Sequence, residues 1–239
     1  MQVVTGDRQD SVFVGLPDAF RRLDSIQRAE LGKQARVRTL QRNEILIGYG
    51  DPNPCAFAIR TGMLSIGYPA GPHEIVITDF FTTHDVYTPN LAPHEPAGYQ
   101  VRSVGRSVVV TWPLPVFNNA LASNARFCYW YLEHSKRRLE LHRMQKARMR
   151  GLDLEARYAY FLWGVAETTD GGRREVTVKI PQQAIASYLG VSREEVSRKK
   201  QLLEKAGFIA ESPRGLVLSP RLPNLFATGD ESLLPWETA

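Results

Sequence analysis

Residues 192–200 read Ser-Arg-Glu-Glu-Val-Ser-Arg-Lys-Lys, and these side chains suit the base edges and phosphates of duplex DNA. Arginine donates to O6 and N7 of guanine, and a carboxylate accepts from N4 of cytosine. Arg193 and Arg198 fit the first role and Glu194 the second. Ser197 suits a base edge or a phosphate, and Lys199 and Lys200 suit phosphates. Glu194 is the most telling of the set. A carboxylate turned toward a polyanion is unfavourable unless it reads a base. Gln182, earlier in the chain, and Arg214, in a polar turn further on, complete the candidate DNA contacts.

Such side chains work only if a helix presents them together, and the flanking residues predict one. Pro181 suits the first turn of a helix, where its missing N–H would have no partner. Ala184, Ile185, Tyr188 and Leu189 then give that helix an apolar face. Gly190 provides the freedom for a sharp turn. Ser192 with Glu195 forms a capping-box pattern that opens a second helix, which buries Val196, Leu202 and Leu203. Small Ala186, turn Gly190 and buried Val196 sit at offsets of four and six, the positions where two crossing helices restrict side-chain size. This is a helix-turn-helix signature. A helical hairpin serving only to pack a core is the alternative. A strand at 175–180 precedes the motif. Strands at 208–210 and 216–218 follow, separated by the turn 211–215, which gives a winged plan with Arg214 at the tip of the wing.

Upstream, residues 117–150 contain neither Gly nor Pro. Leu121, Ala125, Cys128, Leu132, Ser135, Leu139, His142 and Met149 recur by steps of four and three, with Lys146 interrupting. That spacing predicts the seam of a two-helix interface, with Leu121, Ala125, Cys128, Leu132, Leu139 and His142 as its contacts. A helix of roughly 30 residues is about 45 Å long, more than one small domain covers. A second copy of the same helix is the natural cover, so a homodimer is expected. A helix lying on its own domain is the alternative. Its C-terminal half is basic, with Lys136, Arg137, Arg138, Arg143, Lys146, Arg148 and Arg150 against Glu133 and Glu140.

The first part of the chain is strand-like. After an amphipathic start (Phe20, Leu23, Ile26, Leu31), short β-favouring runs at 37–40, 44–47, 56–60, 64–68, 74–78, 99–104 and 107–112 are punctuated by Gly and Pro. They predict a β-roll. The expected class is therefore α+β: a β-roll sensor domain at 1–114, a dimerisation helix at 115–150, a winged helix-turn-helix at 151–225 and an acidic tail at 226–239.

These motifs together resemble the CRP/FNR superfamily of bacterial regulators. The stretch Arg193-Glu194-Glu195-Val196-Ser197-Arg198 is similar to the family's recognition-helix signature. Asn43-Glu44-Ile45-Leu46 through Gly50-Asp51, then Phe57-Ala58-Ile59-Arg60-Thr61-Gly62, resembles its entry into the roll. The resemblance implies a cyclic-nucleotide-binding-type roll, a long dimer helix and a palindromic DNA site whose G·C-containing core is read by Glu194 and Arg198. It also implies an effector, a small molecule or a redox signal, and RNA polymerase as partner if the protein activates. The chain departs from the family in three places. The region 80–87 and 96–99 lacks the Gly-Glu and Arg-Ser pairs that cradle a cyclic phosphate, and His84 stands where glycine is usual. The N-terminal cysteines of the iron–sulfur branch are absent. Lys199 takes a position that is usually aliphatic.

Composition agrees with a DNA-binding protein without demanding one. The 239 residues carry a formal net charge of +5, with 43% hydrophobic and 23% charged side chains, as in ordinary globular proteins. No segment has the length of a membrane span or the pattern of a signal peptide, so a cytoplasmic location and no membrane partner are expected. Cys55 and Cys128 make no metal-like spacing or disulfide framework. Cys128 on the seam reads as a small buried apolar residue, with a redox bridge to a second copy as the alternative. His73, His84 and His94 match no ligand motif, so they read as turn residues; no metal is expected and no cofactor is identified. A cupin-like metalloenzyme lacks its His-x-His here, and no nucleophile–base pair is present, so no enzyme activity is expected. A small-molecule-binding roll whose helix-turn-helix makes protein contacts is the remaining alternative.

Overall fold

Strand β3 (Cys55–Thr61) shows how the first domain is layered, because Ala56, Phe57, Ala58 and Ile59 are all fully buried in succession. A strand half-exposed on one face alternates, whereas one covered on both faces is apolar throughout. The computed structural model, which describes residues 11–52, 54–71, 74–88, 95–169 and 171–227, supplies both covers.

Among the described residues of this domain, eight strands form two antiparallel four-stranded sheets. The others are β1 (Arg36–Leu40), β2 (Ile45–Ile47), β4 (Leu64–Gly71), β5 (Glu74–Phe81), β6 (Val86–Tyr87), β7 (Gln100–Ser103) and β8 (Ser107–Pro113). The sheet orders are β1-β8-β3-β6 and β2-β7-β4-β5. Phe57 and Ile59 pair in register with Thr111 and Val109. They share one core with Leu40, Ile47, Leu64, Ile66, Phe81, Tyr99 and Val101, drawn from both sheets. Ala56 and Ala58, opposite Trp112 and Val110, point to the other side. There they join a second core with Phe20, Leu31, Phe117, Leu121, Phe127 and Tyr131.

That second core comes from helices. Helix α1 (Ser25–Gln34) opens with a capping box between Asp24 and Gln27, and its Leu31 carbonyl accepts from the Trp112 indole at 3.1 Å. Phe20 and Leu23 of the amphipathic start are buried as expected, while Ile26 is exposed.

The single long helix expected from the sequence is two. Helix α2 (Leu114–Ser123) stops at Asn124, whose backbone is extended (φ −133°, ψ 100°), and α3 (Ala125–Gly151) begins after it. Asn124 caps the new helix, its Oδ1 accepting from the Phe127 N–H at 2.9 Å, and its amide donates to Gln27 Oε1 at 2.7 Å. Asparagine competes with the backbone in this way and favours such positions. The break places Leu121 in the roll's own core rather than on the seam.

The second unit contains α4 (Leu154–Val165), α5 (Gln182–Leu189) and α6 (Arg193–Lys205). It also holds a sheet of order β11-β12-β10-β9, with β9 (Glu167–Thr168), β10 (Arg174–Val176), β11 (Ile209–Glu211) and β12 (Leu216–Leu218). The strand expected at 175–180 is shorter. Its register with β12 ends at Val176 opposite Leu216, where the partner becomes the wing turn. Two short strands, β6 and β9, were not anticipated. The chain divides into compact units within α3, after Arg138, with Ile77–Asp79 grouped with the second. Among the described residues, no helix is long and apolar enough to cross a membrane.

Candidate nucleic-acid interface

Helices α5 and α6 meet through a turn whose geometry follows from a few residues. Gly190 adopts the left-handed conformation (φ 68°, ψ 42°), and its N–H returns to the Ala186 carbonyl. A Cβ there would meet nothing within 4 Å, so the torsion, not space, calls for glycine. Ser192 caps α6: its Oγ accepts from the Glu195 N–H at 3.3 Å, while Glu195 Oε2 accepts from the Ser192 N–H at 2.9 Å. The backbone N–H and hydroxyl of Ser192 hold the Glu195 carboxyl below its ordinary value of 4.5. Ala186 and Val196 are buried where the helices cross, with Ile185, Leu189 and Leu203, whereas Leu202, expected to be buried with them, is exposed.

With α6 pinned on that side, its opposite side is free. At 100° per residue, Arg193, Glu194, Ser197, Arg198, Gln201 and Lys205 share an arc of about 140°. Arg193, Glu194, Arg198, Gln201 and Lys205 are exposed and Ser197 is half-buried. Gln201 and Lys205 were not anticipated, although they lie on the arc four and eight residues beyond Ser197. Arg214 is exposed at the wing tip, where Ser212 and Gly215 bond to each other across the turn. Gly215 is tightly enclosed: a Cβ there would lie 1.9 Å from the Val176 carbonyl oxygen.

Lys199 and Lys200, expected on phosphates, are instead engaged within the domain. Lys199 Nζ lies 3.2 Å from Glu155 on α4, so a cation at a usually aliphatic position is held by a carboxylate on the neighbouring helix. Lys200 Nζ lies 2.6 Å from Glu211 on β11 and 3.1 Å from Glu204. Burial alone would lower the Lys200 ammonium; the bonds to Glu211 and Glu204 outweigh it and raise it above 10.5. Lys199 falls on the buried side of α6, while Lys200, about 20° from Arg193 and 40° from Val196, sits at the edge of the free arc, within reach of Glu211 and Glu204. Gln182, at the start of α5, lines a small cavity of about 190 Å3 together with Lys200, Glu211 and Gly215.

On α3 the structure rotates the expected seam. Phe127 and Tyr131 turn into the roll, and Tyr129, Leu132 and Leu139 are 66%, 57% and 49% exposed. The free apolar stripe therefore follows Ala125, Tyr129, Leu132 and Leu139. Cys128 flanks it, half-buried and with a free thiol. His142 turns away from the stripe, its Nδ1 3.8 Å from Asp79.

The same helix latches onto the turn between β5 and β6. Arg138 pairs with Asp85 at 2.6 Å and lies 4.0 Å over the Phe81 ring. The Tyr131 hydroxyl accepts from the Thr88 N–H at 3.1 Å, and His134 Nε2 accepts from Val86 at 3.4 Å. Burial lowers the His134 pKa, although Asp85 opposes it. Behind the turn, Phe57, Phe81, Tyr87 and Tyr99 touch edge to face and tilted, with centroids 5.0–6.0 Å apart. His84 is exposed with φ 72°, the left-handed torsion that favours glycine. His73 and His94 lie outside the described residues. Among the described residues no His/Cys/Asp/Glu cluster could hold a metal. The sequence did not point to a cavity of about 560 Å3 lined by Arg36, Arg38, Asp51, Cys55 and Thr111. Burial pushes the Cys55 thiol there up to about 11, which disfavours the thiolate.

Comparison with known proteins matches this geometry. Residues 156–224 fit the family model of the Crp-like helix-turn-helix domain. The chain is similar in fold to FixK2 from Bradyrhizobium japonicum, at 18% identity and TM-score 0.69, covering 82% of this chain and 99% of that one. It is also similar to a CooA mutant from Carboxydothermus hydrogenoformans, at 16% identity and TM-score 0.60, covering 81% and 87%. A transcriptional regulator of the CRP family from Thermus thermophilus, TTHB099, is similar at 19% identity and TM-score 0.59, covering 79% and 94%. No curated protein sequence matches the chain.

Proposed function

We propose that this chain, which carries a Crp-like helix-turn-helix domain, is a regulator of the CRP/FNR type that controls transcription by binding a palindromic DNA site as a homodimer under the control of an effector. The observation that carries this reading is the free face of α6. Arg193, Glu194 and Arg198 are exposed at its N-terminal half, and no ion pair holds them among the described residues. Recognition helices enter the major groove by that half. Arg193 and Arg198 donate to guanines, Glu194 accepts from a cytosine, and Ser197 and Arg214 hold the phosphate backbone.

The exposed stripe Ala125–Tyr129–Leu132–Leu139 supports the dimer, because a row of large apolar side chains on a helix calls for a cover. A dimer that reads a palindrome needs its two recognition helices about 34 Å apart, one turn of the groove. The latch of Tyr131, His134 and Arg138 onto the β5–β6 turn supports effector control, since it ties the dimer helix to the roll. If the protein activates, RNA polymerase is its further partner.

Glu194→Ala, assayed by anisotropy against palindromes varied at one G·C position, tests the reading. Loss of discrimination by about 1–3 kcal/mol at one base pair, with non-specific affinity retained, is expected. Unchanged preference among the sites would overturn the assignment of α6.

A further inference from the structure

The free stripe of α3 changes character along its length. Its first half is mainly apolar, with Lys136 the charged residue on the same phase. Beyond Leu139 the same phase of the helix carries Arg143, Lys146 and Arg150, which fall within about 60° of the Ala125 direction at 100° per residue. All three are exposed and have no ion-pair partner among the described residues. Glu140, about 60° from the same direction, is the carboxylate that precedes them, and from Arg143 to Gly151 the sequence contains none. The nearest acids beyond are occupied, Asp153 in capping α4 and Glu155 in holding Lys199. Cations in the last helical turn complement the helix dipole, which accounts for the sign of Arg150 but not of Arg143 and Lys146. It does not account for their phase, on the continuation of the apolar stripe.

Where the two helices run parallel along a two-fold axis, each residue of such a stripe faces its own copy. The apolar half gains from this, but the basic half places Arg143, Lys146 and Arg150 against three like charges. Resting on the homodimer reading above, we propose that this half of the seam is a site for a multivalent phosphate anion, a polyphosphate or a phosphate-rich nucleotide, which bridges the two helices and tightens the dimer. The spacing suits such a ligand. Arg143, Lys146 and Arg150 are about 4.5 and 6 Å apart along the axis. Six cations from two chains thus face one short line. Arginine takes phosphate oxygens two at a time, and lysine adds a point charge.

The test measures dimer dissociation of the full chain by sedimentation. It compares inorganic tripolyphosphate with sodium chloride at matched ionic strength, for the native protein and for R143Q/K146Q/R150Q. The native dimer is expected to tighten at least tenfold with tripolyphosphate and much less with sodium chloride. The variant is expected to dimerise more tightly than native protein without the anion, and not to respond to it. A native dimer indifferent to tripolyphosphate, or a variant that responds equally, overturns the proposal and leaves the homodimer intact. A native chain that stays monomeric at every concentration, with and without the anion, overturns the homodimer and the proposal together. If duplex DNA alone tightens the dimer through these three residues, the basic half is a DNA contact and the small-anion site is wrong.

Discussion

Replacing Lys200 by Met and Arg214 by Ala separates two cations that look alike in the sequence. Both suit phosphate, yet Lys200 Nζ lies 2.6 Å from Glu211 and 3.1 Å from Glu204, while Arg214 stands exposed on the wing turn. DNA affinity falls with salt because bound phosphates release counterions, with a slope of about −0.9 in log K against log salt per phosphate neutralised. Arg214→Ala removes one such contact from each protomer, two per dimer. Its affinity loss between 50 and 200 mM salt should therefore be about 12-fold smaller than the native loss. Lys200→Met should leave the slope within about 0.2 of native, because its charge is spent on Glu204 and Glu211 rather than on DNA. The lost pair is partly exposed, so stability should fall by no more than about 1 kcal/mol. Fluorescence anisotropy of a labelled duplex over that salt range reads both slopes, and thermal unfolding checks that each variant is folded. A flattening of about two units with Lys200→Met and none with Arg214→Ala would refute the reasoning, since Lys200 and not the wing would then hold the phosphates.

Three further outcomes follow from the geometry. Gly190→Ala should cost about 1–2 kcal/mol from its left-handed torsion alone. Gly215→Ala should cost more and free the wing, because its Cβ would lie 1.9 Å from the Val176 oxygen; hydrogen exchange in β10–β12 reads the difference, and equal effects would contradict it. Phe57→Ala should destabilise the roll by about 3–5 kcal/mol in denaturant unfolding, as it empties the core between the two sheets. The wing should also respond to pH through Lys200 and Glu211. The hydrogen bond and charge of Lys200 hold the Glu211 carboxyl below 4.5. Their contribution is therefore present above pH 4.5 and lost as pH falls through the depressed value, and lost again as pH rises past the raised Lys200 value. Limited proteolysis of the wing across pH should show protection only between those limits.

The helix-turn-helix was legible because each of its requirements is local. Gly190 is needed for a left-handed torsion, Ser192 and Glu195 cap each other three residues apart, and Ala186 and Val196 meet across one turn. The arc of Arg193, Glu194, Ser197 and Arg198 follows from helical phase once α6 is known. The strands of the roll were legible from short apolar runs between Gly and Pro. Their continuous burial in β3, with Phe57 facing one core and Ala56 another, became clear only when sheet and helices closed on both sides.

Other assignments depended on residues far away in the chain. Leu121 fits a heptad, but Asn124 bonds to Gln27 and ends the helix, which commits Leu121 to the roll. His142 fits the same heptad, yet Asp79 takes it. Lys199 and Lys200 read as phosphate contacts until Glu155 and Glu211 were placed beside them. Periodicity and side-chain chemistry are properties of a segment and can be read from it alone. Which face of a helix stays free, and which charge remains unspent, depends on what the rest of the chain packs against it, and only the tertiary structure decided that.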